Sequence, residues 1–273
     1  MFATSRICYH CPVHAPATPR IIEPDLLMLA YRSGIFPMAD SRDDPEIFWV
    51  EPRRRAILPL ENFHLSRSLA RTLRRGRFSV TCNAAFSEVM DACAEPRRGD
   101  DGESWISHRI QASYEELHRL GHAHSIECWQ DRDGTPELVG GLYGIGFNRV
   151  FCGESMFSRT RDASKVALTW LVAALRRAHA ELLDCQFITP HLASLGAVEI
   201  SQQRYVSMLQ AAQRPYSPAG SGEGAGAALG AGAGAGGVLA LPEAFGALLA
   251  EAEDAGFASS PGNFIAQLLI QTS

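Results

Sequence analysis

The sequence predicts an α/β fold, a mixed sheet covered by helices and preceded by a small N-terminal unit. Two observations carry this. Three strand-like segments, 124–129, 137–143 and 147–152, follow one another directly, with the turn formers Asp133-Gly134 and Gly144 with Gly146 to Asn148 between them, so they are antiparallel neighbours. A long apolar helix, 162–179, then leads to a further strand, 182–188, which is the order of a β-α-β crossover with parallel strands. The chain has 273 residues, 46% hydrophobic and 20% charged, enough for one large domain or for one domain with a smaller partner.

Residues 1–23 are Pro-rich and aperiodic and are expected to be a disordered extension. Cys8, His10, Cys11 and His14 lie in it, but a structural zinc needs four ligands and no second cysteine pair follows, so no metal is assigned. A small N-terminal domain is expected over 24–62. Within it Asp25 to Ser33 is helical and ended by Gly34, and Ile47 to Val50 is a short strand before Glu51-Pro52. The main domain, 63–213, begins with a helix over 63–75, a strand over 78–82 and helices over 84–94 and 107–120. After the meander, the crossover helix and the strand 182–188 comes a last helix, 202–212. The Gly/Ala run 217–237 cannot build a core and marks a flexible linker over 214–240. The tail, 241–273, carries apolar stretches that are expected to pack back on the main body.

No apolar run approaches the ~18–20 residues of a membrane span. The first twenty residues carry Arg, His and Pro where a signal peptide needs an unbroken apolar run, so a cytoplasmic protein is expected. Seven cysteines, an odd number without framework spacing, read as reduced thiols. There is no phosphate-loop motif, which disfavours nucleotide hydrolysis, and no cofactor is called for. Net charge is −5, yet Pro52 to Ser79 holds eight arginines (Arg53, Arg54, Arg55, Arg67, Arg71, Arg74, Arg75, Arg77) against the single acid Glu61. That segment is either a solvated face or a surface that contacts phosphates, for which the planar guanidinium is suited.

The densest polar cluster in an apolar stretch is Phe151-Cys-Gly-Glu-Ser-Met-Phe-Ser158, where Glu154 is flanked by apolar side chains. Asp184 and Gln186 interrupt a buried strand and, two residues apart, share one of its faces. A polar pair there is costly unless satisfied. Either it belongs to a structural hydrogen-bond network, or Glu154, Asp184 and Gln186 converge on a cleft at the ends of neighbouring strands and do acid/base work. Nucleophilic catalysis is less persuasive: Ser155 and Ser158 lack a G-x-S-x-G elbow, and Cys128, Cys152 and Cys185 have no evident His partner in sequence. His118, His122 and His124 read as surface or core imidazoles.

Several segments, in order and at family-like spacing over residues 25–210, resemble the leucyl/phenylalanyl-tRNA–protein transferase family. They are Leu29-Ala-Tyr-Arg-Ser-Gly-Ile-Phe-Pro37, Ser104-Trp-Ile-Ser107, Leu120-Gly-His-Ala-His-Ser-Ile-Glu127, Val139-Gly-Gly-Leu-Tyr-Gly144, Phe151 to Arg159, Ala163-Ser-Lys165, Leu183-Asp-Cys-Gln186 and His191 to Glu199. The chain departs from the family in lacking a Gly-rich stretch before the first helix and in reading Phe48-Trp-Val-Glu-Pro-Arg53 where the family has Trp-Trp-Ser-Pro-Asp-Pro-Arg. The resemblance implies a small N-terminal domain followed by an acetyltransferase-like domain. It also implies transfer of Leu or Phe from its tRNA to the α-amine of proteins beginning with Arg or Lys, marking them for degradation. By the same resemblance Asp184 and Gln186 form a relay that assists the attacking amine, and Glu154 lies beside the reacting centre. Leu142, Phe151, Met156 and Ile188 hold the amino-acid side chain, Tyr31, Trp49 and Trp105 contact the terminal adenosine, and the Arg53 to Arg77 surface, with Arg74, Arg75 and Arg77, meets the tRNA backbone. The alternatives are an acyl-CoA N-acetyltransferase, disfavoured because Ser158 to Ser164 holds no glycine for a pyrophosphate turn, and a non-catalytic RNA-binding module.

Overall fold

A computed structural model describes residues 20–96, 103–214 and 238–271; the Cys8/Cys11 extension and the Gly/Ala run lie outside the described residues. In chain order the elements are α1 (Pro24–Arg32), β1 (Phe36–Met38), β2 (Phe48–Val50), β3 (Arg54–Ile57), α2 (Arg67–Arg74), β4 (Ser79–Cys82), α3 (Phe86–Ala94), α4 (His108–Arg119), β5 (Ala123–Arg132), β6 (Thr135–Phe147), β7 (Val150–Ser158), α5 (Ala163–Arg177), β8 (Leu182–Gln186), α6 (Pro190–Ala193), β9 (Val198–Ser201), α7 (Gln202–Ala212), α8 (Leu241–Asp254) and α9 (Pro261–Gln271). β1 and β2 form a small antiparallel hairpin. The remaining strands make one sheet in the order β4-β5-β6-β7-β8-β3-β9, antiparallel throughout except for the β7–β8 pair.

Local chemistry sets the boundaries. Ser66, Ser107 and Ser201 accept the backbone N–H groups of Leu69, Ile110 and Arg204, so α2, α4 and α7 begin just after their serine caps. This is why α2 starts at Arg67 and not at residue 63. Asp133 and Gly134 both have positive φ and make the predicted β5–β6 turn. Gly144 does not turn the chain. It sits inside β6 at a bulge, where a Cβ would lie 2.2 Å from the Cys152 carbonyl oxygen, and the strand runs on to a turn after Phe147 where Asn148 has φ 50°. The chain strand predicted to end at 152 therefore continues to Ser158.

The sheet separates two cores. α5, buried along most of its length, packs on one face with α2, α8 and α9; Trp170 of α5 meets Phe245 of α8 with ring centroids 5.2 Å apart. α1, α3, α4 and α7 cover the other face. Gly140 lets the start of α5 approach β6, since a Cβ there would fall 2.5 Å from that of Ala163. The tail packs back on the main body as expected. One boundary is corrected: β3, inside the stretch read as N-terminal, is hydrogen-bonded between β8 and β9 in the large sheet. Its run of arginines hid a strand with an apolar inner end, Ala56 and Ile57. Among the described residues no helix is long and apolar enough to cross a membrane.

Candidate active site

β7 and β8 pair only from Val150 with Leu182 to Cys152 with Asp184. Beyond that point they part, and a cavity of about 410 Å³ opens between them. Glu154 and Met156 of β7, Gln186 at the end of β8 and Leu168 and Leu171 of α5 line it, with Leu142, Leu183 and Leu192 completing an apolar end. Phe36 and Met38 of β1, with Trp105 and Phe187, form the other side.

The polar floor is one continuous network. Gln186 has φ 53°, a left-handed conformation uncommon for a residue with a side chain, and its amide nitrogen donates to Glu154 Oε1 at 2.9 Å. The other Glu154 oxygen accepts the Tyr114 hydroxyl at 3.1 Å, and Tyr114 is hydrogen-bonded to Tyr31. Burial lifts the Glu154 carboxyl to about 8, against the opposing hydrogen bonds from the two tyrosines, and the Asp184 charge adds to the rise. Among the described residues Glu154 is the only carboxylate lining the cavity.

Asp184 stands behind this layer, 0% exposed. Arg55 grips it with two bonds, Nε to Oδ1 at 2.9 Å and Nη2 to Oδ2 at 2.5 Å, while the Tyr205 hydroxyl donates to Oδ2 at 3.0 Å and the Gln186 backbone N–H to Oδ1 at 2.9 Å. Arg55 also donates to the Gly34 carbonyl at 3.0 Å and lies over the rings of Phe36 and Tyr205. Burial opposes the Arg55 charge, but the Asp184 carboxylate overrides it and raises the pKa above the ordinary range.

The structure therefore brings Glu154 and Gln186 to the cavity and corrects several expectations. Asp184 does not line the cavity; its two oxygens are held by Arg55, the Tyr205 hydroxyl and the Gln186 backbone N–H. Tyr31 is buried, 1% exposed, and cannot stack on an adenosine; its hydroxyl serves the Glu154 network. Arg55 belongs to this interior hub and not to a tRNA-facing surface, and Arg54 is paired with Glu199 at 2.5 Å. Of the four pocket candidates, Leu142 and Met156 line the cavity, Phe151 is fully buried in the core beneath it and Ile188 lies outside its lining. Trp105 lines the entrance and Trp49 is 40% exposed on β2. Arg74, Arg75 and Arg77 are exposed and have no ion-pair partner among the described residues. His124 and His118 are engaged in the core, the first against Asn83 and the second stacked on Phe86. Sequence reasoning missed Tyr114, Tyr205, Ser164 and His191. Tyr205 had a signal in the buried stripe Tyr205, Leu209, Ala212 of α7, and Ser164 and His191 stood inside two of the resembling segments without being singled out; Tyr114 had none.

The family described as leucyl/phenylalanyl-tRNA protein transferase N-terminal domain matches residues 20–53, and the one described as leucyl/phenylalanyl-tRNA protein transferase matches 57–210. The leucyl/phenylalanyl-tRNA–protein transferase of Novosphingobium aromaticivorans is 66% identical over 267 residues, covering 93% of this chain and 98% of the relative. The proteins of the same name from Zymomonas mobilis (55% identical; 72% of this chain, 71% of the relative) and Rhodopseudomonas palustris strain HaA2 (54%; 70% and 83%) are also similar. Among solved structures FemX aligns with a TM-score of 0.44 at 11% identity, over 65% of this chain and 66% of FemX. The chain thus belongs to the leucyl/phenylalanyl-tRNA–protein transferase family and is a tRNA-dependent aminoacyltransferase.

Proposed function

We propose that the protein moves leucine, or phenylalanine, from its tRNA ester to the N-terminal amine of proteins that begin with Arg or Lys, and that Glu154 handles the amine's proton. The supporting observation is a carboxyl whose pKa is lifted to about 8 at the polar floor of a largely apolar cavity. An α-amine titrates at about 7.7–8.0, so the two groups are matched, and proton transfer between matched groups is efficient. A cationic acceptor entering beside Glu154 favours its ionised form.

The aminoacyl ester is already activated, so no covalent enzyme intermediate is needed. The acceptor ammonium gives one proton to Glu154, and the freed amine nitrogen attacks the ester carbonyl carbon. Gln186, whose amide has a second N–H beyond the one held by Glu154, is suited to stabilise the developing oxyanion. The tetrahedral species collapses with cleavage of the carbon–oxygen bond to the ribose, the ribose oxygen leaves as a hydroxyl with the proton returned by Glu154, and the nitrogen of the new amide releases its remaining extra proton to bulk water. Leu142, Met156, Leu168 and Leu171 receive an apolar side chain and exclude water from the ester.

Purified protein incubated with radiolabelled leucyl-tRNA is expected to label a peptide beginning with Arg or Lys, with ribonuclease abolishing transfer and acetyl-CoA inert as donor. Transfer of acetyl from acetyl-CoA, with none from tRNA, would overturn the reading. The unpaired arginines lead to a second expectation. Replacing Arg74, Arg75 and Arg77 together by Ala weakens tRNA binding and reduces the slope of log affinity against log salt by about two to three, while turnover at saturating donor stays near wild type. A salt slope that does not change returns these side chains to a merely solvated face.

A further inference from the structure

The start of α5 holds polar groups that the transfer chemistry does not use. Ser164 is 6% exposed, it lines the cavity, and its hydroxyl has no hydrogen-bond partner among the described residues. Its neighbour Ser158 is occupied, donating to the Thr160 carbonyl at 2.8 Å and accepting the Ser164 backbone N–H at 3.3 Å. Lys165 follows in the first turn. It is the chain's only lysine, and no ion pair engages it among the described residues. Its backbone N–H likewise finds no acceptor outside the helix. Across the gap, His191 lines the same cavity and its Nε2 is buried with no partner. Lys165 is half-buried next to Ser164, and burial, then the Lys165 charge, lower the His191 pKa. Asp162, the acid just before this helix, lies 3.8 Å from Arg161.

We propose that Ser164, Lys165 and His191, at the positive end of the 15-residue α5, form a subsite for a single phosphate, the one that joins the terminal adenosine of the donor to the nucleotide before it. A helix N-terminus, a hydroxyl, an unpaired ammonium and an imidazole left without a partner are together an anion site, and on an aminoacyl-tRNA the anion nearest the reacting ester is that phosphate. The serines and lysine replace a glycine-rich turn, which suits one phosphate better than a pyrophosphate. The site rests on the donor reading above, and it lies at the start of α5, apart from the arginines at and after the end of α2.

The test uses a non-hydrolysable donor mimic, leucine joined by an amide to the 3′ position of adenosine, made with and without a 5′-phosphate. Calorimetry on the full chain is expected to show about tenfold tighter binding for the phosphorylated compound, the gain of one charge-assisted contact. Lys165→Met should erase that gain and leave the phosphate-free compound bound as in wild type, while Lys165→Arg restores most of it. Equal affinities for the two compounds in the wild-type protein, absence of binding included, would overturn the subsite, as would a Lys165→Met loss shared equally by both. Labelled transfer from leucyl-tRNA, run in parallel, separates failure of the subsite from failure of the donor reading itself.

Discussion

Glu154→Gln lowers kcat for transfer by roughly 10²- to 10³-fold, the scale of a lost general base, with the fold intact. The substituted amide keeps the shape of the carboxyl and still accepts from Gln186, so only proton handling and charge are removed. The reacting pair is ionised Glu154 and the acceptor ammonium, so wild-type kcat/KM is bell-shaped about pH 8; in the variant only free amine reacts, and the profile becomes a single rise set by the amine's own ionisation at about 7.7–8.0. Stability supplies a second readout. The folded pKa is raised above the unfolded value, so the protonated form favours the fold: its contribution is complete below the ordinary carboxylate range, near 4.5, and is lost as pH climbs through about 8. Thermal melts of the wild type therefore decline from pH 5 to pH 9, and those of Glu154→Gln decline less. A variant with wild-type kcat would remove Glu154 from the chemistry, whatever its melts do.

The second large effect falls on stability. Asp184→Asn leaves the Arg55 guanidinium buried without its counter-charge, which costs about 3–5 kcal/mol, and at this chain length the melting temperature drops by roughly 10 °C. Turnover at a permissive temperature is expected to fall about tenfold, less than for Glu154→Gln, because Asp184 does not line the cavity and its link to it is the bond from the Gln186 backbone N–H. Replacing both Arg55 and Asp184 by Met recovers much of the lost stability, since no lone charge remains, but not the turnover. The opposite pattern, an unchanged melting temperature with kcat down by 10² or more in Asp184→Asn, would make Asp184 the base after all.

What the sequence made legible follows its local physics. The α5–β8 crossover, the Asp133-Gly134 hairpin and α7 were readable because apolar period, turn residues and serine caps are written within a few positions of where they act. β3 was not, because Arg54 and Arg55, with Arg53 just before them, read as one charged run although alternate strand positions send Arg55 inward and Arg54 toward Glu199. Gly144 was read as a turn because a bulge and a turn ask for the same residue. In the site, Glu154, Asp184 and Gln186 stood out as polar residues in apolar strands, but their division of labour did not. It depends on Arg55, 129 positions from Asp184, on Tyr114, 40 positions from Glu154, and on a left-handed Gln186, none of which leaves a mark near the carboxylates.

The pair α8 and α9 has a bearing on biosynthesis. Leu241, Phe245, Leu248, Ile265 and Leu269 complete the same core that α5 and α2 begin, and Gly262 lies against the last turn of α2, where a Cβ would meet the Leu73 carbonyl oxygen at 2.8 Å. While residues 238–271 are still inside the ribosome, one apolar side of α5 stays uncovered even though every residue of the cavity has already been made. Nascent chains stalled near residue 215 would accordingly expose that side to chaperones, and the enzyme would mature only after those last two helices emerge.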